Sequence, residues 1–165
     1  MPGFPGRAIP LRDGRTVFLR EIRPEDLPAW EKMILACSPE TLWRRFECRS
    51  TQTVLARKDD LFDESSVVIV AELEGRLVGE ARLCLLPGRA AEFCVLVADP
   101  WQGLGLGSAL IDFALELAKS LGLQKILTEI VPENARIVDL LRRRGFQFSV
   151  EEDGLTHRGE LTLPG

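Results

Sequence analysis

Between Ser65 and Val97 the chain carries three apolar, partly β-branched runs, Ser65–Leu73, Leu77–Leu86 and Ala91–Val97, broken by Glu74-Gly75-Arg76 and by Pro87-Gly88. Runs of that length with glycine-containing breaks predict successive antiparallel strands joined by tight turns. After Gly105 the period lengthens. Leu106, Leu110, Phe113, Ala114, Leu117 and Leu121 mark one face of a helix that stops at Gly122. Ile126–Val131 returns to a strand pattern, Asn134–Arg144 reads as a helix ending at Gly145, and Phe146–Val150 and Gly159–Leu163 read as strands around Asp153-Gly154.

Upstream, Thr16–Ile22 alternates as a strand, and Pro24 opens a helix with Glu25 and Asp26 in its first turn. Ser38 is placed to cap a second helix, with Pro39 in its first position and Leu42, Trp43 and Phe46 beyond it. A third, shorter helix is expected over Thr53–Leu61. The Pro-, Gly- and Arg-rich residues 1–10 are expected to be a mobile leader, and Asp13-Gly14 a turn that pairs Ile9–Leu11 with the next stretch of chain. The fold class is therefore α/β (α+β). One domain over residues 11–165 would hold a mixed, mostly antiparallel twisted sheet of six to seven strands flanked by about four helices.

Composition narrows the function. With 21 basic and 25 acidic residues the net charge is −4, which lacks the basic field that nucleic-acid binding needs. No apolar run approaches the roughly 20 residues that span a bilayer, and the N-terminus lacks the apolar core of a secretion signal, so a cytoplasmic protein is expected. Cys37, Cys48, Cys84 and Cys94 have no metal or redox spacing and read as free thiols, with Cys84 and Cys94 as small buried hydrophobes. The single histidine, His157, reads as a surface or edge-strand residue, and no metal site is expected.

The junction from Val95 to Leu110 is the informative one: a strand, Asp99-Pro100-Trp101, the loop Gln102-Gly103-Leu104-Gly105-Leu106-Gly107, then Ser108 and the long helix. Unpaired N–H groups and a partial positive charge at a helix start, approached closely over glycines, suit an anion. A dinucleotide fingerprint fits poorly, because Ser108 stands where its third glycine belongs. A Walker loop fits poorly because the loop has no lysine. A purely structural helix start also competes.

Gln102–Gly107 matches the Q/R-x-x-G-x-G/A signature of the GCN5-related N-acetyltransferases, and Asn134 with Leu140-Leu141-Arg142-Arg143-Arg144-Gly145-Phe146 resembles that family's second coenzyme A motif. Leu11-Arg12-Asp13-Gly14, Leu19–Asp26, Ser38-Pro39-Glu40 and Arg45-Phe46 resemble the acetyltransferase domain of bacterial Pat-type protein lysine acetyltransferases. The likeness runs from about Leu11 to the C-terminus and is strongest from Glu92 to Gly107.

This resemblance implies acetyl-CoA as co-substrate. Its pantetheine arm would pair with the backbone of Val95, Leu96 and Val97, and its pyrophosphate would rest on the amides of Gln102, Gly103, Leu104, Gly105, Leu106, Gly107 and Ser108. Asn134 is expected to reach the coenzyme arm or to cap the helix it precedes. The acceptor would be a primary amine such as a protein lysine, and a homodimer is compatible with the family.

An alkyl amine with a pKa of about 10.4 needs a base before it attacks a thioester. Glu92 matches the general-base glutamate of the Pat-like domains, and desolvation at the mouth of an apolar strand would strengthen it in that role; Glu80 and Glu129 are rivals. A backbone N–H near Val95 or Leu96 would serve as oxyanion donor if the strand splays. The tyrosine that many family members place on the last helix is Leu141 here, and the chain has no tyrosine. That absence admits a second function, a non-catalytic acyl-CoA sensor. Arg142–Arg144 read first as dipole partners at a helix end, and Trp43 and Phe46 as core packing.

Overall fold

Residues 3–164 are described by a computed structural model of the protein. Eight strands form one sheet in the order β1-β2-β3-β4-β5-β6-β8-β7. They are β1 (Arg7–Pro10), β2 (Thr16–Glu21), β3 (Ser66–Leu73), β4 (Arg76–Leu86), β5 (Ala90–Val97), β6 (Lys125–Ile130), β7 (Gln147–Val150) and β8 (His157–Thr162). Five α-helices accompany them: α1 (Leu27–Ala36), α2 (Pro39–Phe46), α3 (Thr51–Leu55), α4 (Leu106–Ser120) and α5 (Ala135–Arg142). Every neighbouring pair is antiparallel except β5 and β6, which α4 joins as a parallel crossover.

Both counts exceed the expectation from sequence. The added strand is β1, whose Arg7–Pro10 falls within the stretch expected to be a mobile leader. Asp13 Oδ1 accepts from the Arg15 N–H at 3.0 Å and Gly14 takes φ 90°, which turns the chain back so that Ile9 pairs with Val17. Met1 and Pro2 lie outside the described residues. All five helical segments read from the sequence are present, but Thr53–Leu61 is not continuous. The chain breaks at Arg57 (φ −93°, ψ 14°) into α3 and a 3₁₀ turn over Lys58–Phe62, and both Val54 and Leu61 still reach the core. β8 lies between β6 and β7, so His157 sits on an inner strand opposite Ile130 and Val150, not on an edge.

Strand β4 is the middle of the core, buried continuously from Leu77 to Leu83. Successive side chains leave a strand on opposite faces. Gly79 lies under Leu106 and Leu110 of α4, and the next residue, Glu80, accepts from the Trp30 indole of α1 at 3.3 Å. Thus α4 covers one face and α1 with α2 the other. A Cβ at Gly79 would lie 3.0 Å from the Leu96 carbonyl and 3.1 Å from Leu110 Cδ1, so a larger residue would have to push β5 or α4 back by a few tenths of an ångström.

A buried ionic knot ties β2 to the start of α1. Arg20 donates to Asp26 at 2.7 and 2.8 Å and to Glu72 at 2.6 Å, and Asp26 also accepts from the Arg23 N–H at 2.7 Å. The Arg20 hydrogen bonds outweigh burial and hold Asp26 below the ordinary carboxylate range. A depressed carboxylate contributes stability above its unfolded pKa of about 3.9 and loses it as pH falls through the lower folded value. Asp26→Asn is therefore expected to cost about 3–5 kcal/mol at neutral pH, because it leaves Arg20 half-paired in the interior. Urea melts between neutral and acid pH should show a smaller loss of stability on acidification in the variant than in the wild type.

Candidate active site

The β5–β6 ladder is short. Ala90, Ala91 and Glu92 pair with Lys125, Ile126 and Leu127, and there the ladder ends, although β5 runs on to Val97 and β6 to Ile130. Past Glu92 the two strands splay. In an antiparallel pairing a residue's N–H and C=O point to the same neighbour, and the direction alternates along the strand. Ala98 donates to Val78 on β4, so Leu96 and Cys94 also face β4, while Phe93, Val95 and Val97 face the gap. The Phe93 carbonyl accepts from Thr128 Oγ1 at 2.9 Å and the Val97 carbonyl from Gln102 Nε2 at 3.0 Å. Val95 lies between these two filled positions, with its N–H and C=O presented to the open fork.

The fork leads to the N-terminus of α4. Gly103 and Gly105 take φ 79° and 90°, a region that favours glycine, and Gly105 is an N-cap with no side chain to offer. The first turn of α4 contains no acidic residue, so the N–H groups of Leu106, Gly107 and Ser108 have neither an intrahelical partner nor a carboxylate beside them. Arg12, itself a lining residue of the cleft, braces the loop: its N–H donates to Leu104 O at 3.0 Å and its guanidinium to Gly103 O at 3.3 Å.

Strand, loop and helix enclose a cleft of about 270 Å³. Among the residues expected from sequence, Val95, Leu96, Val97, Gln102, Gly103, Gly105, Gly107, Ser108 and Asn134 line it. Leu104 and Leu106 do not. Leu106 is buried under β4 and Leu104 packs on the core, so they contribute backbone and anchorage. Asn134 takes the N-cap position of α5 but its side chain makes no capping bond, which leaves it to the cleft.

The family model for the acetyltransferase (GNAT) family matches residues 26–146. The chain belongs to this family. It is 31% identical over 155 residues to the acetyltransferase PA5475 of Pseudomonas aeruginosa, covering 88% of this chain and 83% of that one. It is 26% identical over 153 residues to the acetyltransferase Pat of Mycolicibacterium smegmatis, 89% of this chain but only 46% of that relative's length. The GNAT domain of S. lividans PAT superposes with a TM-score of 0.83 at 22% identity, over 96% of this chain and 97% of that one, a likeness of fold.

The three candidate carboxylates of this family member part company. Glu80 is fully buried, held by Arg82 at 2.7 and 3.1 Å and by Trp30. Burial pushes it up, but the charges of Arg82 and Arg45 win and hold it below the ordinary range, so it is a structural anion. Glu129 is exposed on β6 opposite Arg158. Glu92 forms the last rung of the β5–β6 ladder, at the apex of the fork and roughly 10 Å along the strand from Val95. It is exposed, not set among apolar neighbours as expected from sequence, and it is not among the residues that line the cleft. Leu141 is fully buried, and its neighbour Leu140 forms the cleft wall.

Arg142–Arg144 stay out of the cleft: Arg142 stacks on Phe148, Arg143 pairs with Asp139 and Arg144 with Asp112. Trp43 is not core but donates to Glu133 Oε2 at 3.0 Å, and half-buried Phe46 carries Arg45 on its ring. Cys84 and Cys94 are half-buried rather than core; Cys37 is buried, and burial pushes its thiol up to about 12, leaving it neutral.

What sequence reasoning missed is Asp99. It accepts from the Ser38 N–H (2.9 Å), Ser38 Oγ (2.7 Å) and Thr41 Oγ1 (3.0 Å), and Gln102 Nε2 donates to Thr41 Oγ1 at 3.1 Å as well as to Val97. The start of α2 is thereby latched to the strand-to-loop junction. Burial raises the Asp99 carboxyl, but these donors more than offset it and hold it low. Only the Ser38 cap is visible in the sequence, because Asp99 lies sixty-one residues from its partner. Asp99→Ala is expected to cost about 1–3 kcal/mol by leaving buried donors unpaired. It should also weaken acetyl-CoA binding severalfold, read by calorimetric titration, through the loosened Gln102.

Proposed function

We propose that the protein transfers the acetyl group of acetyl-CoA to a primary amine, with a lysine side chain as the first acceptor to examine. The observation that carries this reading is the fork: a strand presenting the free backbone of Val95 runs straight into an uncapped, glycine-lined helix N-terminus. An extended amide-bearing arm can add to Val95 as an extra strand would, and a diphosphate matches the amides of Gly103 to Ser108. The residues fit the coenzyme, since a side chain at Gly103 or Gly105 would be strained and Asn134 offers an uncommitted amide to the cleft.

The coenzyme supplies a thioester, an acyl group activated toward amines. The Val95 carbonyl is left to the arm, and the Val95 N–H to a developing oxyanion. Glu92, at the fork apex and open to solvent, takes the proton of the ammonium directly or through one water. With Leu141 buried, no side chain of α5 acts as general acid, and a thiolate with a pKa of about 8.5 leaves without one.

Thiol release from acetyl-CoA in the presence of amines tests the reading. Glu92→Gln is expected to lower turnover by about 10²–10⁴-fold, the usual contribution of a general base, with acetyl-CoA affinity within about twofold of wild type. Unchanged turnover would remove Glu92 from its role, and binding without thiol release across a panel of amines would make the protein an acyl-CoA sensor instead.

A further inference from the structure

Arg44, Arg45 and Arg136 line the cleft with no ion pair among the described residues; Arg44 and Arg136 are exposed to water, whereas Arg45 is half-buried. Arg45, near the end of α2, lines the cleft and lies over the Phe46 ring with 4.3 Å to the centroid. Its Nε is buried without a hydrogen-bond partner, and among the described residues no carboxylate forms an ion pair with it. Glu80 is near enough for Arg45 to influence it, but both Glu80 oxygens are already taken by Arg82 and Trp30. Glu80 and Arg82 cancel, and the charge of Arg45 is left over.

Its place along the cleft separates it from the coenzyme phosphates. The first turn of α2 is latched at Ser38 to Asp99, next to the glycine loop. Arg45 lies seven residues further on, roughly 10 Å along the helix axis. There the Phe46 ring beneath it also lies 6.0 Å from the guanidinium of Arg82, whose β5 partner Cys94 is two residues from Glu92. Arg45 thus belongs to the Glu92 end, where the acceptor arrives, while the loop amides hold the diphosphate end.

We infer that Arg45 receives an anionic group of the acceptor, so that the preferred acceptor is a primary amine with a carboxylate a few bonds away. This rests on the acetyl-transfer reading above. The guanidinium fork is matched to a carboxylate, and the Phe46 ring fixes its plane. Such an amine reaches the site either as an acidic-flanked lysine of a protein or as a small amino acid; the chemistry recognised is the same.

The test uses the full chain, acetyl-CoA and two matched acceptor pairs: ε-aminocaproate against hexylamine, and capped Ala-Lys-Asp against Ala-Lys-Asn peptides. A charge-assisted hydrogen bond corresponds to about tenfold or more in kcat/KM in favour of the carboxylate member. Arg45→Gln should reduce that ratio to within about twofold of unity, and Arg45→Lys should keep part of it while losing the bidentate contribution. Thermal melting with and without acetyl-CoA monitors folding and coenzyme binding in each variant. A preference confined to the peptide pair assigns the anion to a protein segment, and one confined to aminocaproate assigns it to a small amino acid.

Turnover of both pairs without a carboxylate preference, or a preference that survives in Arg45→Gln, overturns this inference and leaves acetyl transfer standing. Bound acetyl-CoA with no thiol release from any of the four acceptors overturns acetyl transfer itself, and this inference with it.

Discussion

A strand inside a sheet has to satisfy hydrogen-bonding groups on both sides, and β5 stops doing so halfway along. Up to Glu92 it is paired by β4 on one side and β6 on the other; beyond it, β6 has moved away. Two side chains fill part of what the ladder leaves open, Thr128 at Phe93 and Gln102 at Val97. The site depends on what these two do not fill. Gln102 is itself positioned by Thr41, and Thr41 by Asp99, so one unpaired stretch of backbone organises α2, the glycine loop and the start of α4 around it.

Charge is distributed by the same logic. The interior ion pairs, Arg20 with Asp26 and Glu72 and Arg82 with Glu80, join carboxylate to guanidinium inside the fold and hold elements together. The groups on which the proposed chemistry draws are at the fork: exposed Glu92, the helix N-terminus and Arg45, whose Nε has no partner. A carboxylate that works as base toward an ammonium has to exchange protons with solvent, and the exposed position of Glu92 suits that exchange better than the buried one of Glu80.

Local signals are legible in the sequence, and long-range ones are not. The hairpin at Glu74-Gly75, the Ser38 cap and the helix beginning at Leu106 come from periods and turn residues, and the structure contains each of them. The loop over Gln102–Gly107 is readable because its glycines are close together in the chain. The insertion of β8 between β6 and β7, the end of the β5–β6 ladder and the Asp99 latch all join residues far apart in the chain, for which no local pattern exists. For Asn134 the sequence leaves a cap and a ligand open; the structure removes the cap. The expected burial of Glu92 fails for a different reason, since an apolar strand does not tell whether its first residues lie under a helix or beside open water.

The bond from Trp43 to Glu133 has a mechanical consequence. It joins α2 to the segment between β6 and α5, across the mouth of the cleft, and it lies at the surface. At the other end the same walls are held by the partly buried Ser38–Asp99–Thr41 cluster. A bond between an indole and a carboxylate that are both open to water competes with water at every turn, against several partly buried bonds at the inner end. The cleft is therefore bound like a book, sewn along the spine and fastened at the fore-edge by a single clasp that thermal motion can undo.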